Sequence, residues 1–316
     1  MKGLLFVCFS FVLLHASVTN TNICPPFTAK TFNKIRFLDQ KELNYTNIDG
    51  VKFSELSDLA YDEKTQILYL VSDEGALFAF DAAFSDKIDG LKARSGVTLK
   101  KKNGKKFKIW KRDSEGLTLD GKGKLLISFE GNAKIGWFHK NSSKYGNLIR
   151  KYPLPKVLRS KKNYRSRNKS LEALAWHPKH GILTATEWPL KRDHKKRQSI
   201  YALSGKKWHF QAEPEGKSGV VAMEVMDDGN VLVLERSFTG MFDPFVLTLK
   251  KVYLKNCLYK MCKSEVLLKM NSHEGWDVEN FEGLARVGKN HYVMISDDND
   301  NFLLATVLVY FEVLDD

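Results

Sequence analysis

The sequence predicts an all-β fold, a β-propeller of five four-stranded blades, and three observations carry that reading. A two-part phrase returns five times along the chain, two acidic residues within it keep a fixed separation, and no window of a dozen residues sustains a 3.6-residue apolar period. The first copy begins Ser57-Asp58-Leu59-Ala60-Tyr61-Asp62 and ends Ile67-Leu68-Tyr69-Leu70-Val71-Ser72-Asp73. Later copies occupy 114–130, 171–187, 220–235 and 281–297. Asp58 and Asp73, Glu115 and Glu130, Glu172 and Glu187, and Glu282 and Asp297 are each 15 residues apart. The same count back from Glu235 reaches Val220, so the fourth copy lacks its first acid. First positions advance by 57, 57, 48 and 62 residues, and the longer intervals leave room for a degenerate sixth blade.

Each phrase reads as a β-hairpin. Short runs of Leu, Ile, Val, Tyr and Thr flank turns such as Asp120-Gly121-Lys122-Gly123 and Asp227-Asp228-Gly229-Asn230. Hairpins recurring at this interval, each with space for two further strands, are the pattern of a propeller. Leu77-Phe78-Ala79-Phe80 and Ile135-Gly136-Trp137-Phe138 suit third strands; Val97-Thr98-Leu99 and Leu148-Ile149-Arg150-Lys151-Tyr152 suit fourth strands. The last strand, 306–313, is expected to pair with 34–43 and close the ring by joining the two ends of the chain.

The N-terminus carries Lys2, an apolar run over 4–14, and the small residues Ala16 and Ser17. That order reads as a secretory signal peptide over 1–17, leaving 18–316 as one propeller domain. The run is too short to span a bilayer, and no other approaches 18 apolar residues, so an exported protein without a membrane span is expected, periplasmic or secreted and monomeric. With Cys8 removed, Cys24, Cys257 and Cys262 remain. The close pair could form a local disulfide in an oxidising compartment, leaving Cys24 alone; Cys24 could instead pair with one of them.

Hydrophobic residues make up 43% of the chain and charged residues 28%, an ordinary globular composition that excludes a disordered tail or a polytopic membrane protein. The formal charge of +13 is concentrated. Segment 100–112 holds eight Lys or Arg, 159–169 holds six, and 191–197 holds five against Asp193. Such stretches are solvated loops that could also steer an anion. Nucleic acid is not expected, because only Trp110 and Tyr164 interleave with the charges and no recognition motif is present.

The start of a hairpin's first strand and the end of its second lie at the same end. With the first strand innermost, Asp58, Asp73, Glu115, Glu130, Glu172, Glu187, Glu235, Glu282 and Asp297 would gather around the central channel, with Asp298 and Asn299 adding oxygens. Like charges so placed raise one another's pKa unless a cation intervenes. Hard oxygen ligands in this number suit Ca²⁺ ahead of Mg²⁺ or Mn²⁺. Arg112, Lys191, Arg192 and Arg236 stand beside the acids and could bind an anionic substrate. His177 and His180 flank a turn and read as solvated. No Gly-x-Ser-x-Gly phrase is present to build a serine nucleophile. Asn44-Tyr45-Thr46, Asn141-Ser142-Ser143 and Asn168-Lys169-Ser170 match the glycosylation pattern, which matters only in a eukaryotic secretory route.

The phrases Glu115-Gly116-Leu117 and Glu282-Gly283-Leu284, Asn168 before Leu171-Glu172-Ala173-Leu174, Leu234-Glu235-Arg236 and Ser296-Asp297-Asp298-Asn299 resemble the phytase-like, "esterase-like activity of phytase" family of exported β-propellers. The likeness runs from about residue 54 to the C-terminus. It implies a propeller and an ester or phosphoester hydrolase activity. Two functions are therefore expected: a cation-assisted hydrolase of an anionic small molecule, with Glu115, Glu172, Glu282 and Arg236 as catalytic candidates, or a non-catalytic binding propeller with a structural Ca²⁺.

Overall fold

A run such as Ile67-Leu68-Tyr69-Leu70-Val71 is apolar at every position, so a strand made from it must bury both faces. The computed structural model describes residues 17–140, 143–166, 168–240, 242–301 and 303–314. The expected signal segment up to residue 16 and the Asn141-Ser142 pair lie outside the described residues.

Strands β1 (Ser17–Asn20), β2 (Thr31–Phe32) and β3 (Ile35–Asn44) precede a small hairpin, β4 (Asn47–Ile48) and β5 (Val51–Lys52). A first antiparallel unit follows: β6 (Leu56–Asp62), β7 (Ile67–Ser72), β8 (Ala76–Phe84) and β9 (Ile88–Thr98). The second is β10 (Ser114–Leu119), β11 (Leu125–Phe129), β12 (Lys134–Phe138) and β13 (Leu148–Tyr152). The third is β14 (Leu171–His177), β15 (Gly181–Thr186), β16 (Arg197–Ala202) and β17 (Lys207–Gln211). The fourth is β18 (Gly219–Val225), β19 (Val231–Ser237), β20 (Val246–Leu258) and β21 (Met261–Asn271), joined to the third by one parallel bridge, His209 to Met261. Last come β22 (Asn280–Gly288), β23 (His291–Asp297) and β24 (Val307–Val313), and the fourth place in that sheet is taken by β3. β24 pairs antiparallel with β3 from Val307 opposite Glu42 to Val313 opposite Ile35, so the N-terminal strand closes the C-terminal sheet.

The first strands touch in a closed cycle, β6 to β10 to β14 to β18 to β22 and back to β6. Sheets arranged radially about such a ring are the architecture of a β-propeller. The apolar interior is correspondingly divided, with each cluster shared by two neighbouring units. Leu68 and Leu70 of β7 pack toward the last sheet, with Val293 and Ile295. Tyr69 and Val71 of the same strand pack toward the second unit, with Ile127 and Phe129. Alternate residues thus serve opposite faces, which is why the run needs no polar positions. Cys257 and Cys262 form a disulfide near the end of the β20–β21 hairpin, and Cys24 is free.

Each first strand carries a β-bulge near its start. The pairing register shifts between Leu56 and Asp58, Ser114 and Leu117, Leu171 and Leu174, Val220 and Ala222, and Phe281 and Gly283. Such bulges re-aim a side chain and bend the strand. They fall on Glu115, Glu172 and Glu282, and the following residue is small because the neighbouring strand is close. A Cβ on Gly283 would lie 2.8 Å from the Asp58 Cα, and one on Gly116 would lie 2.7 Å from the Glu172 carbonyl oxygen.

Asp58 departs from the expected metal-ligand role. Its Oδ1 accepts the N–H groups of Leu59 (2.8 Å) and Leu284 (3.1 Å), and its Oδ2 accepts that of Leu117 (2.7 Å). One buried carboxyl therefore ties β6 to β10 and β22. The bulge in β6 falls at Ser57, one residue earlier than the 15-residue spacing implies, and a one-residue slip turns a side chain to the opposite face. Burial pushes the Asp58 carboxyl well above the usual range, against the pull of those three N–H groups.

Gly283→Ala should cost about 1–3 kcal/mol in urea unfolding, because the added methyl meets backbone that cannot retreat. Gly90→Ala, where the nearest atom is 4.0 Å away, should stay within about 0.5 kcal/mol of the parent. Asp58→Ala should lose about 3 kcal/mol or more by leaving three buried N–H groups without an acceptor; equal stability of Asp58→Ala and parent would contradict this role.

Candidate functional site

Pairing at the mouth of the ring defines the equivalent positions. Glu130 N–H donates to the Asp113 carbonyl (2.9 Å), Asp73 to Glu55 (3.0 Å) and Glu187 to Ser170 (3.3 Å), while Arg236 stands opposite Gly219 and Asp297 opposite Asn280. The rim therefore runs Asp73, Glu130, Glu187, Arg236, Asp297. One step inside it, at the bulges, stand Ser57, Glu115, Glu172, Val221 and Glu282.

In the fourth unit the rim residue is Arg236, not Glu235. Glu235 faces away, accepting from Lys250 Nζ (3.0 Å), the Glu213 N–H (2.9 Å) and Ser218 Oγ (2.9 Å). Lys250 is 2% exposed and also bonds Glu213 Oε1 at 2.6 Å, so Glu235 belongs to a buried ion-pair network and not to the acid cluster. The cause is again one residue of register, since Glu235 and Arg236 point to opposite faces of β19.

The acids that do converge form two overlapping groups. Carboxylate oxygens of Asp113, Glu115 and Glu130 lie within 4.8 Å of one another, as do those of Glu130, Glu172 and Glu187. Among the described residues, the Glu115 and Glu172 carboxylates have no hydrogen-bond or ion-pair partner, although the two residues are only 9% and 8% exposed. Asp73 Oδ1 is buried without a partner as well. Burial, reinforced by Glu130, Asp113 and Glu282, holds Glu115 well above the ordinary carboxylate range; burial with Glu187, Glu115 and Glu130 does the same to Glu172. Asp73, Glu130 and Asp297 are each pushed up to about 8, chiefly by burial and then by neighbouring acids, with the Ser170 N–H opposing the rise at Glu130. A set of buried carboxylate oxygens, several partnerless, fits a hard divalent cation whose oxygen ligands stand at roughly 2.3–2.6 Å.

Among the described residues, Lys169 and Arg236 stand beside Glu187, while Lys134 and Arg112 act on Asp113. Lys169 Nζ lies 2.5 Å from Glu187 Oε2, and Arg236 reaches Glu187 Oε1 at 4.0 Å. Arg236 also donates to Glu282 and Asn280; burial works to lower its pKa, and the carboxylates of Glu282, Glu187 and Glu172 outweigh it and raise the pKa. Asn280 Nδ2 donates to Glu282 Oε1 at 3.0 Å.

Other expected site residues lie elsewhere. Asp298 Oδ1 accepts the N–H groups of Glu55 (3.0 Å) and Asp300 (3.1 Å), closing a turn. Asn299 is exposed and contributes its backbone N–H to Asp297 Oδ1 at 2.7 Å. Lys191 and Arg192 are exposed on the β15–β16 connection, and Arg192 lines a separate cavity with Pro155, Tyr201 and Lys207. Arg112 directly precedes Asp113 and pairs with Glu74. Sequence reasoning missed Asp113, Glu55, Lys169 and Asn280. Asp113, Glu55 and Asn280 pair with rim residues, and Lys169 directly precedes such a position. Aligning the copies on the bulge instead of on the acids would have found these positions.

Solved structures that resemble the chain share little sequence with it. They include a chain of the Mitotic Checkpoint Complex (13% identity, TM-score 0.38), of which 82% of this chain covers 64%. Virginiamycin B lyase from Staphylococcus aureus aligns at 11% identity over 95% of this chain and 100% of its own, TM-score 0.38. The Cps50 (Swd1) β-propeller domain of Myceliophteria thermophila aligns at 9% identity over 84% and 98%, TM-score 0.41. No curated protein matches. The sequence profile described as "Esterase-like activity of phytase" matches residues 51–300, which takes in every first-strand bulge and every rim residue of the ring; the chain belongs to that phytase-like family.

Proposed function

We propose that this protein is an exported five-bladed propeller that hydrolyses an anionic ester or phosphoester with a divalent cation, Ca²⁺ ahead of Mg²⁺ or Mn²⁺, at the mouth of its ring. The observation that carries the reading is the convergence of partnerless, buried carboxylates in the groups around Glu130. Asp113, Glu115 and Glu130 would hold the ion, leaving Glu172 free beside it. Once bound, it supplies Lewis-acid polarisation of a phosphoryl or carbonyl oxygen and neutralises developing charge. Glu172 takes a proton from the attacking water as the new oxygen bond forms. The bond to the leaving alkoxide then breaks, and the alkoxide recovers that proton. Arg236, fixed by Glu282 and Asn280, faces the charge that accumulates on the reacting group.

The same bonds of Arg236 favour a second reading, in which its guanidinium serves to hold Glu282 and Asn280 and the ring is a non-catalytic binding module with a structural Ca²⁺. Export rests on the N-terminal sequence; among the described residues no helix is long and apolar enough to cross a membrane.

Hydrolysis of p-nitrophenyl phosphate, bis(p-nitrophenyl) phosphate and p-nitrophenyl acetate, with Ca²⁺ and with chelator, separates these readings. Turnover of at least one substrate is expected, falling at least about 100-fold with chelator and in Glu172→Gln. Turnover indifferent to chelator removes the cation mechanism. Absence of turnover while Ca²⁺ still raises the melting temperature selects the binding module.

The raised carboxyls also set a pH signature. In the cation-free fold Asp73, Glu130 and Asp297 bind protons up to about pH 8, whereas the unfolded chain releases them near pH 4. The folded state thus holds more protons, and the cluster's contribution to stability falls as pH rises through that window. Cation binding competes with the Glu130 proton, so the Ca²⁺-induced rise in melting temperature should grow from pH 5 to pH 8. A rise that is flat or shrinks over that range would remove the cluster as the Ca²⁺ site.

A further inference from the structure

A cavity of about 540 Å³ is formed by the β15–β16 and β17–β18 connections, with an apolar wall of Trp188, Pro189, Ala212 and Pro214; the acids on its lining, Glu213 and Glu215, are paired with Lys250 and Lys269. It abuts the mouth of the ring. Trp188 directly follows the rim residue Glu187, and Ser218, also on its wall, directly precedes Gly219, the residue opposite Arg236. This is the sector in which Lys169 and Arg236 interrupt the carboxylates, so an anion meets attraction here and repulsion along Glu130 and Asp113.

We infer that this cavity receives the apolar aryl or alkyl portion of an anionic ester whose charged end lies at Arg236. The inference rests on the hydrolase reading above and names its substrate class: amphiphilic esters, with an apolar group large enough to fill the space beside Trp188. The volume is within the roughly 300–1,000 Å³ of small-molecule sites. Two prolines and an indole make a wall that loses little conformational freedom when a planar group stacks on it. The Trp188 Nε1 is buried without an acceptor, leaving a donor that a polar atom of a ligand would take up. Lys169 Nζ stands 5.6 Å from the centre of the same ring, linking the apolar wall to the cationic sector.

Non-hydrolysable probes test this apart from turnover. Phenylphosphonate and methylphosphonate are titrated calorimetrically into the full protein with Ca²⁺ present. Phenylphosphonate should bind at least tenfold more tightly. Trp188→Ala should abolish that preference while leaving methylphosphonate affinity within twofold, and Trp188→Phe should retain it. Ala212→Leu, which fills the cavity without removing the indole, should abolish it as well, which covers the case of a poorly folded Trp188→Ala. Equal affinity of the parent for the two phosphonates, or a preference that survives both Trp188→Ala and Ala212→Leu, overturns the subsite alone. If neither phosphonate binds, the anionic-ester reading fails and the subsite fails with it.

Discussion

The inner strands of the ring approach one another so closely that little more than backbone fits between them, and much else in the molecule follows from that distance. At Gly283 the neighbour is the backbone of Asp58, and at Gly116 it is the backbone and side chain at Glu172 and Leu174. A straight strand could not reach this spacing and keep its ladder intact, so each first strand bulges. The free backbone groups are met locally: the Gly116 N–H donates to Ser128 Oγ at 2.8 Å, and Thr184 Oγ1 donates to the Ala173 carbonyl at 3.0 Å. The phrase Glu-Gly-Leu is thus one packing unit. Its Glu is aimed inward by the bulge, its small residue admits the neighbouring strand, and its Leu fills the cluster between units.

Three bulges aiming Glu into one mouth make an electrostatic problem that packing alone cannot relieve. The side chains are held by strands, not loops, so they cannot swing into water to separate. In a poorly solvated pit, like charges either take up protons or gather a counter-ion. Asp58 marks the contrast. It is as buried as any of these acids, yet its oxygens are filled by three N–H groups, and it serves only to hold the strands. Among the described residues, Glu115 and Glu172 have no such donors, and that difference separates a structural carboxyl from one available to a ligand.

Most of the architecture was legible in the sequence because hairpins advertise themselves locally. The expected third strands over 77–80 and 135–138 fall within β8 and β12, and the expected pairing of 306–313 with 34–43 appears as β24 with β3. The acid positions were legible where the bulge and the 15-residue count agree, as at Glu115 with Glu130 and Glu282 with Asp297. They were misread where the count absorbed a shift of one, at Asp58 for Ser57 and at Glu235 for Arg236. Spacing records distance along the chain, whereas a bulge changes which face that distance reaches. Lys191 and Arg192 lie apart from the acids for another reason: both are exposed on the β15–β16 connection, and Arg192 lines a separate cavity.

The misread fourth unit gives the ring its direction. Four rim places hold acids and the fifth holds Arg236, beside a bulge position occupied by Val221. A ring of identical acids would bind a cation with no preferred orientation for anything attached to it. With a guanidinium in one place and Lys169 against the adjoining Glu187, the mouth gains two positive groups next to the Glu172 and Glu187 carboxylates, while Asp113, Glu115 and Glu130 form a group without them. A cation held by the first group and an anion drawn to Arg236 and Lys169 would be neighbours, because the two groups share Glu130. The loss of one carboxylate from the repeat is thus better understood as a charge reversal that polarises the site than as decay of a symmetric one.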